Sequence, residues 1–256
     1  MSGNTDPGNT SAVRRLEGRL ALVTGASRGI GQAVARRFAR EGAHVIATAR
    51  TVGALEALDD AITAEGGRCT LVPLDLCDGA AVDALGQSLH QRFGRLDVLV
   101  ANAGALGPLS PVSHIDPKAW DKTLAVNLTA GFRLVRSLDP LLRQSPAGRA
   151  IFVSSRAVGL NRAYWGLYTA SKAALEAMAL AWAAEIRNIS PVRVNILRPG
   201  GVATAMRARA FPGEDPATLP APADVAGVFV DLAETDCQRD GEILQLNADG
   251  RGVQTV

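Results

Sequence analysis

Cysteine is scarce in this chain, with 3 among 256 residues. Cys69, Cys77 and Cys237 lack both the density of a disulfide scaffold and the C-x-x-C pairing of a zinc site, so a reducing cytoplasm is the expected compartment. Histidine is equally sparse. His44, His90 and His114 stand apart from other ligand types at zinc-like spacing, and no metal is expected. The formal charge of +2 is too close to neutral to argue for nucleic acid or an anionic membrane, and the arginines form no stripe with interleaved aromatics. No segment approaches the roughly 20 continuous apolar residues of a membrane span. Residues 1–16 begin as a polar stretch rich in Gly, Asn, Thr and Pro, with no apolar core of a leader peptide, and are expected to be a disordered tail.

What is present is an ordinary globular composition, 47% hydrophobic and 20% charged, in a chain long enough for one α/β domain over residues 17–256. Short apolar runs alternate with helical patterns from Leu20 onward. That alternation predicts successive βαβ units, a Rossmann-like doubly wound sheet of about seven parallel strands with helices on both faces. Strands are expected near 20–24, 43–48, 69–73, 97–101, 150–154, 192–197 and 243–246. Helices are expected near 29–40, 52–64, 79–92, 117–142, 165–188 and 222–233. In such a sheet the ligand crevice lies at the carboxyl ends of the strands. Gly25, Arg50, Asp75, Asn102, Ser155 and Pro199 all fall just past strand ends, so candidate site residues converge on one edge.

Gly25, Gly29 and Gly31 follow the first strand and open a helix. Glycines there let backbone approach a pyrophosphate, received by free N–H groups at the helix N-terminus. Their G-x-x-x-G-x-G spacing departs from the G-x-G-x-x-G dinucleotide fingerprint; the alternative is a glycine-rich turn with no ligand. The second strand ends in Ala47-Thr48-Ala49-Arg50, with no carboxylate to bind a ribose 2′-hydroxyl. Arg50, with Arg28, could instead hold a 2′-phosphate through charge-assisted hydrogen bonds, which favours NADP(H) over NAD(H). Otherwise both arginines are solvated surface charges.

Tyr168 and Lys172 stand four residues apart in a helical pattern and share a face, so the ammonium can stabilise a phenolate. Bringing a tyrosine from near 10 to about 7 requires roughly 4 kcal/mol, whereas an exposed helix pair supplies about 0.3–0.5 kcal/mol. Lys172 must therefore act in a desolvated cleft. Ser155 stands thirteen positions upstream of Tyr168, just past a strand end, while Ser154 is expected to be structural. Tyr164 is expected to be a pocket wall or packing residue.

The glycine loop, Asp75, Ala101-Asn102-Ala103-Gly104, Asn127, Ser155, the Tyr168 to Lys172 segment and Pro199-Gly200-Gly201-Val202-Ala203-Thr204 resemble, in order and spacing, the classical short-chain dehydrogenase/reductases. The resemblance extends from about residue 17 over nearly the whole chain. It implies that Tyr168 is the catalytic acid/base, that Lys172 lowers its pKa and binds the nicotinamide ribose, that Ser155 orients the substrate carbonyl, and that Asn127 holds a water in a proton relay. It implies cofactor contacts from Gly25, Ser27, Arg28, Gly29, Ile30, Gly31, Arg50, Asp75, Leu76, Asn102, Ala103, Gly104, Tyr168, Lys172, Pro199, Gly200, Val202 and Thr204. A homodimer or homotetramer is implied as well, through the helices near 117–142 and 165–188.

The connection from Thr204 to about residue 222 is short where many relatives have a longer helical lid, which implies an open pocket. Its candidate lining is Leu106, Arg156, Leu160, Arg162, Tyr164, Met206 and Phe211, a mixed apolar and cationic set. The leading expectation is a reductase of carbonyls, reversible on secondary alcohols. The alternatives are a catalytically silent dinucleotide-binding regulator and a same-fold epimerase or dehydratase.

Overall fold

The structure is a computed structural model and describes residues 14–247 and 249–256. Eight strands form one sheet: β1 (Leu20–Thr24), β2 (His44–Ala49), β3 (Arg68–Pro73), β4 (Val98–Ala101), β5 (Arg149–Val153), β6 (Arg193–Arg198), β7 (Glu242–Leu246) and β8 (Val253–Thr255). Their order is β3-β2-β1-β4-β5-β6-β7-β8. All neighbours pair in parallel except β7 with β8, which is antiparallel. The helices are α1 (Gly29–Arg40), α2 (Val52–Ala64), α3 (Gly79–Phe93), α4 (Pro117–Leu124), α5 (Ala130–Arg143), α6 (Gly166–Ile186), α7 (Ala205–Ala210) and α8 (Pro222–Ala233). Strand order reverses between β1 and β4, and this switch point places the crevice above their carboxyl ends.

Period-two alternation divides the core into two layers. Ala21 and Val23 of β1 face one side, where they pack with Val34 and Phe38 of α1, Leu55 and Leu58 of α2, and Phe229 of α8. Leu20 and Leu22 face the other, against Leu85 of α3, Leu134 and Leu138 of α5, and Leu175 and Trp182 of α6. Both faces of the central strands are therefore apolar, which is why those strands read as continuous hydrophobic runs.

Four features differ from the expectations above. First, the helix expected over 117–142 is interrupted by a π-helical turn, Ala125–Thr129, between α4 and α5. Second, the supposed bare connection after Thr204 contains α7, capped by the Thr204 hydroxyl accepting from the Arg207 N–H (3.2 Å), and a 3₁₀ turn at Pro216–Thr218. Third, β8 adds an antiparallel edge strand. Fourth, Leu16 belongs to the packed body rather than the tail: its side chain is fully buried and its N–H bonds the Glu41 carbonyl (2.8 Å). Arg15 of the expected tail is likewise held, pairing with Asp231 (2.7 Å), while residues 1–13 lie outside the described residues.

Candidate functional site

The loop after β1 is drawn against the end of β4. The Thr24 hydroxyl accepts from the N–H groups of Asn102 (2.9 Å) and Ala103 (3.0 Å), and Asn102 Nδ2 donates to the Thr24 carbonyl (2.9 Å). Only glycine fits at Gly31: a Cβ there would collide with the Gly25 carbonyl and lie 2.5 Å from Asn102 Nδ2. The Thr204 methyl packs over Gly29. At the start of α1, no side chain caps the helix and its first turn holds no acidic residue. Free amide donors at a helix N-terminus suit an anion. Ser27 and Ile30 lie in this same loop, with Ile30 packed on the core layer beneath.

Around this cradle stand Arg28 and Arg50, both exposed. Among the described residues neither is held by an ion pair, and β2 ends without a carboxylate. Arg50 lies near Cys77, whose thiol is raised by burial and by Asp75 and drawn down by Arg133 and Arg50. Asp75 is exposed and accepts from the Cys77 N–H (2.9 Å), fixing the turn after β3, while Leu76 is buried beside it. At the far side Pro199 and Val202 are buried and Gly200 carries the Arg156 alkyl stem across its face. This donor set suits an anionic, phosphate-bearing ligand.

Polar side chains meet where β4, β5, the π turn and α6 converge. Asn127 is buried on the π turn, which projects it out of the regular helical ladder. Its Oδ1 accepts from the Ala105 N–H (2.7 Å), and its Nδ2 donates to the Ala105 carbonyl (2.8 Å) and the Ser171 hydroxyl (2.9 Å). Lys172, only 3% exposed, donates to the Val153 carbonyl (2.8 Å). A Cβ built on Gly104 would lie 3.3 Å from Asn127 Oδ1 and 3.4 Å from Lys172 Nζ, so the bare backbone at Gly104 is what lets both groups crowd the end of β4. Ser155, just beyond β5, neighbours the Tyr168 phenol and accepts from the Ala157 N–H (3.1 Å). Asn127, Ser155, Tyr168 and Lys172 thus occupy one cleft.

Burial is the largest electrostatic influence on both titratable groups of that cleft. It lowers Lys172 to about 8, against a smaller rise from Glu176. It raises the Tyr168 phenol, and the neighbouring Ser155 hydroxyl recovers only part of that. The expected lowering of Tyr168 by Lys172 is therefore not found in this structure. Desolvation of the phenolate outweighs any pull from an ammonium that is directed at Val153.

An apolar wall surrounds the phenol. Leu106 and Ala157 pack with Tyr168, joined by Leu109, Trp165, Met206 and Ala210. Trp165 meets Tyr168 edge to face (5.9 Å between ring centres) and leans on Phe211 (5.5 Å). Arg207 stacks on the Phe211 ring at 3.7 Å and forms a two-pronged pair with Glu214 (2.5 and 2.6 Å). Arg162 approaches the same ring at 5.5 Å. The short lid is thereby packed against the wall beside Tyr168. Of the expected lining, Leu106, Met206 and Phe211 take part. Leu160 and Tyr164 do not: Tyr164 has φ +70° and its residue is 59% exposed, turned away from the cluster. Trp165, Leu109 and Ala157 were missed by sequence reasoning, although Trp165 stands one helical turn before Tyr168, a spacing that places the two on one face.

The model of the short chain dehydrogenases matches residues 19–215. The chain belongs to that family. It is 40% identical over 227 residues to the uncharacterized oxidoreductase YciK of Escherichia coli K12, covering 88% of this chain and 89% of that protein. A Shigella flexneri structure, described as a short chain dehydrogenase complexed with NADP, superposes with a TM-score of 0.87 at 39% identity, over 91% of this chain and 98% of that one. An Escherichia coli CFT073 structure of the same description, complexed with NADPH, gives 0.85 at 39% identity over 91% and 98%. As a short chain dehydrogenase the chain is an oxidoreductase with a Rossmann-like sheet. No described helix is long and apolar enough to cross a membrane.

Proposed function

We propose that this oxidoreductase moves a hydride between NADP(H) and a small carbonyl or secondary alcohol, with Ser155, Tyr168, Lys172 and Asn127 as its polar machinery. The observation that carries this reading is that Ser155 neighbours the buried Tyr168 phenol in an apolar pocket backed by a buried lysine. Arg28, Arg50 and the amides at the start of α1 would hold the phosphates, and Gly104, Lys172 and the Pro199–Thr204 segment would border the nicotinamide half. When bound, the cofactor supplies or accepts the hydride and, in its oxidised form, brings a positive charge.

In the reducing direction the Tyr168 phenol gives its proton to the carbonyl oxygen as negative charge develops there. Ser155 Oγ donates a second hydrogen bond to that oxygen, a contact that strengthens as the oxygen becomes an alkoxide. A phenol raised by burial is a protonated donor throughout the neutral range, which suits reduction; oxidation asks the same group to accept a proton and gains from any added positive charge nearby. Asn127 holds the segment after β4 in register, and the wall of Leu106, Trp165 and Met206 excludes water. A cytoplasmic homodimer or homotetramer accompanies this reading, supported by Phe132 of α5, an aromatic left half exposed on the outer helix layer.

The test is oxidation of NADPH against a panel of ketones, aldehydes, quinones and 3-oxoacyl thioesters, repeated with Tyr168→Phe. The variant is expected to retain cofactor affinity and lose turnover by about 10²–10⁴. Cofactor binding with no turnover on any of the panel would favour a binding role instead.

A further inference from the structure

Behind Lys172 lies a buried ion pair that the reading above does not use. Glu176 stands one helical turn after Lys172, on the same face of α6, and is itself buried. Its Oε1 accepts from the Ser154 hydroxyl (2.7 Å) and from Arg198 Nε (2.7 Å), and its Oε2 from Arg198 Nη2 (2.7 Å). Ser154 sits between Val153, whose carbonyl receives the Lys172 ammonium, and Ser155, which neighbours Tyr168. Arg198 ends β6 and leads directly into Pro199 and Gly200. One carboxylate thus ties the ends of β5 and β6 to the helix that carries both Tyr168 and Lys172.

The arrangement decides where the lysine points. Glu176 is within Coulombic reach of Lys172, yet its oxygens are taken by Arg198 and Ser154, and the ammonium bonds Val153 instead. Other groups facing Lys172 are Tyr168 from its own helix, the Val153 carbonyl, Ser154 and Ser155 from the β5 end, and the neutral Gly104 and Asn127 from the β4 loop and the π turn. The permanent charges on this side are therefore Glu176 and the Arg198 guanidinium that offsets it. A buried acid and base with no partner would be costly, and two-pronged pairing of Glu176 with Arg198 meets that cost without drawing Lys172 away from the cleft.

We propose that Glu176 and Arg198 are a positioning pair for Lys172, the carboxylate supporting its positive charge and the guanidinium keeping the ammonium directed at the cleft. The proposal rests on Lys172 having the place assigned above, but its test requires neither substrate nor cofactor. Lys118, Lys122 and Lys172 are the only lysines in the chain, and the first two are exposed. Lysine labelled with ¹³C at Cε therefore yields three signals, and the buried one can be followed through a pH titration of the free, full-length protein.

In the wild type the Lys172 signal is expected to titrate near about 8. Glu176→Gln removes the supporting charge and leaves Arg198 unpaired, so the midpoint should fall by about one unit, a tenfold change in protonation. Arg198→Gln frees the carboxylate to act on Lys172 undiminished, so the midpoint should rise by a similar amount. Glu176→Asp keeps the charge and should bring the midpoint back toward the wild type. Opposite displacements by Glu176→Gln and Arg198→Gln support the proposal. Midpoints that stay together, or that move in the same direction, overturn it whatever the stability of the variants. Should Glu176→Gln fail to fold, the rise in Arg198→Gln against an unmoved Glu176→Asp decides the question. Failure of this test leaves the Tyr168→Phe assay untouched, so a wrong positioning pair is distinguishable from a wrong activity.

Discussion

Each end of the sheet buries a cation, and the two are put to opposite use. At the amino ends of the strands Arg19 is buried beside Asp97, with Arg95 and Arg149 close by; desolvation is the main influence and lowers it to about 10. At the carboxyl ends Lys172 is buried by the same β4–β5 region, and desolvation lowers it to about 8. The displacement is comparable, but an arginine at about 10 remains charged under ordinary conditions whereas a lysine at about 8 titrates within them. Arg19 spends its charge on the carbonyls of Asp97 and Ala147, and Asp97 in turn accepts from Leu20 N–H (2.8 Å) and Ser145 (2.6 Å). That cluster stitches strand ends together. Lys172 has one bond, to Val153, and faces a cleft. A buried charge therefore marks a reactive site only where its residue type permits a change of state under ordinary conditions.

The largest effect that would sharpen this contrast is in turnover. Lys172→Met is expected to cost about 10²–10⁴ in kcat on whichever substrate the panel identifies, whereas Arg19→Met leaves kcat within a factor of about two. An equal loss in both would erase the distinction. The same Lys172 variant carries a signature in stability. The folded value, about 8, lies below the unfolded lysine value near 10.4, so below pH 8 both states are protonated and the burial cost is fully present. As pH rises from about 8 to about 10.4 that cost disappears. The unfolding free energy of the wild type, measured against Lys172→Met by urea titration, should gain up to about 3 kcal/mol across that window.

Cofactor choice gives an effect of intermediate size. Arg50→Asp should reduce the preference for NADP(H) over NAD(H) by about 10–100-fold in kcat/KM, the range of one lost charge-assisted hydrogen bond. An unchanged ratio would show that this exposed arginine does not read the phosphate. At the other end of the sheet, Arg19→Met should lower stability by about 1–3 kcal/mol through the carbonyls it leaves unpaired, with no change in the cofactor ratio. The smallest effect is expected at the lid. Glu214→Gln releases Arg207 from its two-pronged partner and should raise KM about two- to fivefold with kcat nearly constant, since a pair at this exposure contributes little.

The sheet and its crevice were legible because short continuous apolar runs alternate with helical patterns along the chain, and because glycines stand where backbone must pass close to backbone, as at Gly31. The cleft was legible to the extent that α6 places Tyr168 and Lys172 one turn apart. The electrostatics were not, because the balance between an ammonium's pull and the cost of desolvating a phenolate depends on burial and on where Lys172 points, and neither is written in spacing. The π turn left no mark either, since apolar residues continue on both sides of Asn127 and suggest an unbroken helix. The wall of Trp165 and Phe211 escaped notice because it joins α6 to a six-residue helix too short to show periodicity. The pair of Glu176 with Arg198 brings together residues whose proximity depends on α6 lying beside β6.

The π turn also restricts how this gene can change. It accommodates one surplus residue between α4 and α5, and an α-helix turns about 100° per residue. Removing one residue from 125–129 would let the turn close into regular helix with Leu134, Leu138 and Leu141 kept in phase, because the wide turn spreads roughly the rotation of four α-helical residues over five. Such a deletion would spare the core layer and withdraw Asn127 from the cleft, so the length of this stretch is guarded by the site and not by the packing.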